Sequence, residues 1–242
     1  MSSSTLKKPI LWCLPYAGGN SSIFHRWPTF LDDIVEVRPV VLPGRESRFS
    51  EPAKDSLQTL ADEILLEISQ FADRNWALFG HSMGGALAWE IAIRIENLNI
   101  RENLLLLAIS GRASPDLKRI CPPIHQEDDL TFIQSLGKLG GTPSEILAER
   151  ELMDLLLPTI RADFKAIETW IPSEGILSKT PILACGGILD KESEPSRIMG
   201  WKERSAAGFS LAEFEGDHFF IQSHQAQLLN TLREALRKSL ND

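Results

Sequence analysis

The feature that most constrains this chain is the pentapeptide Gly80-His-Ser82-Met-Gly84. It sits between a short apolar run, Trp76–Phe79, and a helix-like run, Ala86–Ile95. Small residues two before and two after a serine permit a tight, strained strand-to-helix turn that stands the hydroxyl above the strand's C-terminal end. Such a turn needs a sheet, a helix packed back on it and an open edge beyond. The rest of the sequence supplies them. Ile10–Leu14, Val35–Leu42, Asn103–Ser110, Pro181–Gly187 and Phe209–Phe214 read as further strands, with Pro39 marking an edge or a bulge in the second. Most are continuously apolar, as strands covered on both faces are. Leu57, Leu60, Ala61, Ile64, Leu65, Ile68 and Phe71 keep helical spacing, with Asp55 and Gln58 placed for a capping box. A last helix carries Leu228, Leu229, Leu232, Ala235 and Leu236, with Ser223 as its N-cap. The expectation is an α/β protein: a mostly parallel central sheet with helices on both faces.

One stretch breaks the alternation. Between Gly111 and Trp170 no strand is evident. Pro122-Pro123 and Gly140-Gly141 punctuate helical pieces at Leu130–Leu139, Ser144–Leu157 and Thr159–Trp170. The reading is a helical insertion over 112–170 within a single domain spanning 1–242, long enough to bury a core without disulfides or metal. The three cysteines form no CxxC, so neither a disulfide framework nor a zinc site is suggested, and no cofactor is expected. Cys13 and Cys185 lie in apolar runs and read as core thiols. No apolar run approaches the ~18 residues of a membrane span. Met1–Lys8 leads into no signal-peptide apolar region, so a reducing cytoplasm is expected. A net charge of −8 without a basic cluster argues against nucleic acid and fits ordinary solubility.

A serine hydroxyl needs a base. Of the five histidines, His218 follows the last strand in Gly216-Asp-His-Phe-Phe220, on a loop at the sheet's C-terminal edge that can reach Ser82. His81 is held by the turn's own backbone and reads as packing; His125 lies in the insertion, His25 far upstream, and His224 begins the last helix. The base needs a carboxylate to fix its tautomer, in the chain order serine, acid, histidine. Asp190, in Gly186-Gly-Ile-Leu-Asp190 after a strand, fits; Glu192 and Glu194 remain open. Asp217 adjoins His218 too closely, and Asp163 reads as the partner of a nearby arginine. The Met83 amide, at a helix start, and the Ala17 amide, in Pro15-Tyr-Ala-Gly-Gly19, are candidate oxyanion donors.

These residues, with Pro43-Gly-Arg45 and Leu157-Pro-x-x-Arg-Ala-Asp163, resemble the type II thioesterases, free-standing α/β-hydrolases of nonribosomal peptide and polyketide synthesis. The resemblance runs from about Ile10 to Leu236. It implies the α/β-hydrolase fold, a Ser82–Asp190–His218 triad, an oxyanion hole of Ala17 and Met83, and a helical lid over an acyl channel. It further implies an acyl or peptidyl carrier protein as partner, its phosphopantetheine arm carrying wrong or stalled acyl groups for hydrolysis. Two positions depart from the pattern: Lys191 where proline often follows the acid, and Trp170 where tyrosine is common. Leu136, Leu139, Leu147, Leu155 and Leu156 either line the acyl site or pack the lid. Arg45, Arg48, Arg112, Lys118 and Arg119 are candidates for a carrier-docking patch or ordinary surface charges. The same triad would also serve a general acyl-CoA or ester hydrolase or an acyltransferase. A non-catalytic binding protein would have no reason to keep all three triad residues. Nothing demands a second subunit, so a monomer is expected.

Overall fold

A computed structural model describes residues 7–98 and 104–241. Asn103, counted above with the fourth strand, and Met1–Leu6 lie outside the described residues. The elements run β1 (Ile10–Leu14), α1 (Pro28–Leu31), β2 (Glu36–Pro39), α2 (Leu57–Ile68), β3 (Trp76–His81), α3 (Met83–Asn97) and β4 (Leu104–Ser110). They continue with α4 (Asp129–Leu139), α5 (Ser144–Ala148), α6 (Arg150–Glu168), β5 (Ile182–Gly187), α7 (Pro195–Ile198), β6 (Phe209–Phe214), α8 (Phe220–Ser223) and α9 (Gln225–Asn241). The strands form one sheet of six in the order β2-β1-β3-β4-β5-β6. Every pairing is parallel. All strand ends of one polarity therefore lie along one edge.

The apolar runs are continuous because both faces are covered. Side chains alternate across a strand, so Ile10, Trp12 and Leu14 of β1 join the core under α2 and α3, while Leu11 and Cys13 join the core with α1 and α9. Trp76 and Leu78 of β3 face the first layer, and Ala77 and Phe79 the second. The second strand is shorter than its apolar run: only Glu36–Pro39 pairs, at the sheet edge, where proline's missing N–H costs no ladder bond.

Three local expectations are corrected. The N-cap of α2 is Ser56, whose Oγ accepts from the Thr59 N–H at 3.3 Å. Asp55 instead pairs with Lys165 of α6 at 2.6 Å, and Gln58 donates to the Ile171 carbonyl. Ser223 does not cap the last helix: it ends α8, and α9 begins after His224. In the helical segment, the break falls at Glu149, with extended backbone, and not at Pro158, which lies inside α6. Proline removes one helix hydrogen bond. The buried residues Met153, Leu157 and Ile160 straddle it and pack with Phe132 and Leu136 of α4, so packing keeps α6 continuous.

Trp27 shows how tightly the second layer is filled. It is fully buried, edge-on to Phe24 at 5.0 Å and to Phe79 at 4.7 Å between ring centres. Its indole N–H is buried without a partner among the described residues. Trp27→Ala should therefore cost about 3–5 kcal/mol, whereas Trp27→Phe, which also removes the unpartnered donor, should cost less than about 2 kcal/mol. Urea denaturation of the two variants checks the difference; equal losses would mean that the ring volume is not what matters here.

Candidate active site

The turn after β3 is strained, and close packing sets the strain. Ser82 has φ 55° and ψ −111°. Such a conformation costs a non-glycine residue about 1–3 kcal/mol unless its surroundings impose it. Here the Ser82 N–H donates to the Ser110 carbonyl at 2.8 Å, and the Ser82 carbonyl accepts from the Gly85 N–H at 3.0 Å. The flanking glycines have no room for a side chain. A Cβ on Gly80 would lie 1.9 Å from the Gly84 oxygen, and one on Gly84 would lie 2.1 Å from the Leu14 oxygen. Met83 is the first residue of α3, so its N–H precedes the helix's own hydrogen-bond ladder. The Ser82 hydroxyl has no hydrogen-bond partner among the described residues and faces a cavity of about 720 Å³.

His218 and Asp190 line the same cavity. They come from the loops after β6 and β5, which approach so closely that a Cβ on Gly187 would lie 2.5 Å from the Asp217 oxygen. His218 Nδ1 lies 2.6 Å from Asp190 Oδ2. Asp190 is buried, yet it also accepts from the Glu192 and Ser193 N–H groups at 3.0 and 3.2 Å and from the Ser193 hydroxyl. Burial alone pushes its pKa up; the hydrogen bond and charge of His218, with the Ser193 donors, outweigh it and hold the group at about 2. The alternative acids are occupied elsewhere. Glu192 accepts from the Ile120 and Cys121 N–H groups, and Glu194 from the Ser196 hydroxyl. Lys191 disturbs none of these contacts: its side chain is exposed, and the amides that hold the carboxylate are those of Glu192 and Ser193.

His81 lies beneath this pair, its ring centre 5.1 Å from that of His218. It is fully buried, with Nδ1 2.9 Å from the Ser110 hydroxyl. Burial, then the charge of His218, pushes its pKa well below the usual value. A neutral His81 supports the upper imidazole without repelling it. His125 is also engaged, with Nδ1 2.6 Å from the fully buried carboxylate of Glu168.

The loop after β1 forms the opposite wall. Gly18 has φ 74°, and the Gly19 N–H closes a turn onto the Tyr16 carbonyl at 2.8 Å. The Ala17 N–H has no partner among the described residues. Its neighbour is anchored from far away. The Gly18 N–H donates to Asp163 Oδ2 at 2.8 Å, and Asp163 takes both arms of the Arg45 guanidinium at 2.8 and 2.7 Å. Arg45 also donates to the Gly19 carbonyl at 2.8 Å. Asp163 is thus the arginine partner expected of it, but across the fold and not within its own helix. The motifs Pro43-Gly-Arg45 and Arg161-Ala-Asp163 were the available signal; their joint purpose was not readable from them.

Arg45 therefore leaves the docking-patch candidates: it is buried, and both of its terminal nitrogens are engaged within the fold. Arg48 leaves them as well, held by Glu51 at 2.5 Å and the Val41 carbonyl at 3.1 Å. Arg112 and Arg119 are half-buried on the cavity wall, whereas Lys118 is exposed at its rim. Among the leucines, Leu136 and Leu139 line the cavity. Leu147 and Leu156 pack on the core shared by α4 and α6, and Leu155 points to solvent, 54% exposed. Those three do not line the cavity, because they lie on other faces of α5 and α6.

A family model described as "Thioesterase domain" matches residues 9–236. The chain belongs to the thioesterase family. Among curated relatives of this family, it is 34% identical to the gramicidin S biosynthesis protein GrsT of Aneurinibacillus migulanus, over 94% of this chain and 88% of that one. It is 32% identical to thioesterase PikA5 of Streptomyces venezuelae, over 93% and 80%. The type II thioesterase BorB from the borrelidin biosynthetic cluster superposes with a TM-score of 0.86 at 33% identity, covering 95% of this chain and 93% of BorB. The α/β-hydrolase fold expected from the sequence is thus the fold of its family. Among the described residues, no helix is long and apolar enough to cross a membrane.

The low pKa of Asp190 has a consequence for stability. A carboxyl depressed from 3.8 to about 2 stabilises the folded state above its unfolded value, and this contribution is lost as pH falls through the folded one. Between about pH 4 and pH 2, Asp190→Asn should lose less stability than the parent chain does. Chemical denaturation across that range measures it; parallel curves would show that Asp190 gains nothing from its partners.

Proposed function

We propose that the protein hydrolyses acyl thioesters carried on the phosphopantetheine arm of acyl or peptidyl carrier proteins, with Ser82, His218 and Asp190 as the triad. The observation that carries this reading is one cavity, in a chain of the thioesterase family, holding a serine on a strained strand-to-helix turn beside a histidine bonded to a buried aspartate. Ser82 Oγ attacks the thioester carbonyl while His218 takes its proton. Asp190 holds the Nδ1–H and stabilises the imidazolium. The amides of Ala17 and Met83 receive the developing oxyanion. Collapse of the tetrahedral intermediate breaks the C–S bond, and His218 returns its proton to the leaving thiolate. Water, deprotonated by His218, then attacks the acyl-serine and releases the acid.

Residues 112–170 act as the lid. Helices α4 and α6 share a core of their own, and Leu136, Leu139, Ile160 and Phe164 form an apolar wall on the cavity. The relatives named for gramicidin S biosynthesis and for the borrelidin cluster favour a synthase carrier protein as the donor. The role is removal of wrong or stalled acyl groups. The free thiols Cys13, Cys121 and Cys185 suit a reducing cytoplasm.

The deciding experiment presents one acyl group on a carrier-protein arm and on a small thiol. Preference for the carrier is expected, together with a loss of about 10⁴-fold or more in kcat for Ser82→Ala. Equal rates on the free thiol would remove the carrier from the reading, and an active Ser82→Ala would remove the triad. Asp163→Asn tests the anchored loop. It keeps an acceptor for Gly18 but leaves Arg45 unneutralised, so kcat should fall about tenfold to a hundredfold with a smaller change in KM. A change confined to thermal stability would reduce the pair to a structural one.

A further inference from the structure

The lysines on the cavity wall, Lys118, Lys138 and Lys191, are exposed, and most arginines in or near it are engaged by the protein itself. Arg45 is paired with Asp163. Arg197 donates to the Glu192 and Lys118 carbonyls at 2.9 and 2.6 Å. Arg119 reaches Glu168 at 3.4 Å. Arg112 differs. It follows Ser110 and Gly111 at the C-terminal end of β4 and lines the cavity. Its guanidinium carbon lies 5.1 Å from the centre of the Trp170 ring. Its Nε is buried without a partner, as are those of Arg45 and Arg119, but Arg112 alone of these arginines has neither a hydrogen bond nor a carboxylate on its guanidinium among the described residues. Burial, then the charge of Arg119, pushes its pKa down to about 10 against the pull of Glu192, so it remains a cation at neutral pH.

The anions nearby are already saturated. Glu192 takes the Ile120 and Cys121 N–H groups. Glu168 takes those of Ile124 and His125, and the His125 ring. Asp190 faces His218. A half-buried cation without a counter-charge is costly, which is why such groups are normally paired. The cavity wall thus presents a cation with no carboxylate in contact, which the charge of Glu192 offsets only at a distance and which lies against the Trp170 ring.

We propose that Arg112 is the receptor for a carboxylate borne by the acyl group of the thioester substrate. A guanidinium offers the planar fork of donors that a carboxylate matches. Its position favours the acyl group over the phosphate of the carrier arm as the source of the anion. The Ser110 carbonyl, two residues before Arg112, accepts the Ser82 N–H at 2.8 Å. A Cβ on Gly85, one turn after Ser82, would lie 3.2 Å from Arg112 Cβ. The arginine is thus rooted beside the nucleophile, whereas the whole pantetheine chain separates the sulfur from its phosphate. A carboxylate a few bonds from the thioester carbon, as in a malonyl group, is in reach. This assignment rests on the thioesterase reading above.

The test uses the full chain and two N-acetylcysteamine thioesters, the malonyl compound and its neutral methyl ester, which share a phosphate-free thiol. The parent protein should favour the malonyl compound in kcat/KM, and the advantage should shrink with added salt. Arg112→Gln should lower the malonyl-to-ester ratio at least about tenfold, the worth of a charge-assisted hydrogen bond, and Arg112→Lys should restore part of it. No preference in the parent protein would overturn the proposal without needing a variant. Equal losses on both compounds would also overturn it, leaving Arg112 as packing for Trp170. An Arg112→Gln loss that is equal for the two acyl groups and appears only when they ride on phosphopantetheine would assign the cation to the arm's phosphate and overturn the acyl-carboxylate assignment. Absence of hydrolysis of either compound, on thiol or carrier, would instead sink the thioesterase reading itself.

Discussion

Ser82 can hold φ 55° because the chain around it leaves no other course. The turn is wedged between the ends of β1 and β4, with the Leu14 oxygen pressing on Gly84 and the Ser110 carbonyl holding the Ser82 N–H. Those contacts exist only in a parallel sheet, where neighbouring strands finish on the same edge. The rest of the site follows from that polarity. The loops after β1, β3, β4, β5 and β6 all emerge beside the serine. Each contributes one component: a free amide, the hydroxyl, an arginine, the carboxylate and the imidazole.

The strands were legible because burial on both faces leaves little choice of residue. Trp76–Phe79 and Ile182–Cys185 are apolar for the same reason that they lie inside the sheet, whereas Phe209–Phe214, at its edge, admits Ser210 and Glu213. Helix ends were less legible. Ser56, Asp55, Ser223 and His224 are all residues that cap helices, and which one does so depends on contacts made across the fold, such as the pull of Lys165 on Asp55. Pro158 looked like a stop because the local cost of proline is plain, while the packing of Met153, Leu157 and Ile160 against α4 that offsets it is not.

The site divides in the same way. Ser82, Asp190 and His218 each sit just past an apolar run, so their placement on one edge follows from topology once the strands are read. The Arg45–Asp163 pair follows from nothing local. It joins residues 118 apart in sequence; Arg45 alone reads as a surface charge, and Asp163 alone as the partner of some nearer arginine. Leucines on α5 and α6 posed a related problem: helical spacing tells which residues share a face but not what that face meets. Leu139 meets the cavity, whereas Leu156 meets the helix core.

The Arg45–Asp163 pair also ties two parts of the mechanism to one element. Helix α6 carries Asp163, which fixes the loop of Ala17 through Gly18, and one turn earlier it carries Ile160, which packs on Gly18 and lines the cavity. In the proposed reaction, the wall that meets the acyl chain and the anchor of the loop that holds the oxyanion amide are therefore parts of the same helix. An acyl group that displaces this helix disturbs the hole, and one that seats against it leaves Gly18, Arg45 and Asp163 in register. Buried hydrogen bonds to both Asp163 oxygens rigidify this arrangement. In this geometry, fit at the acyl wall and readiness of the oxyanion hole are one condition.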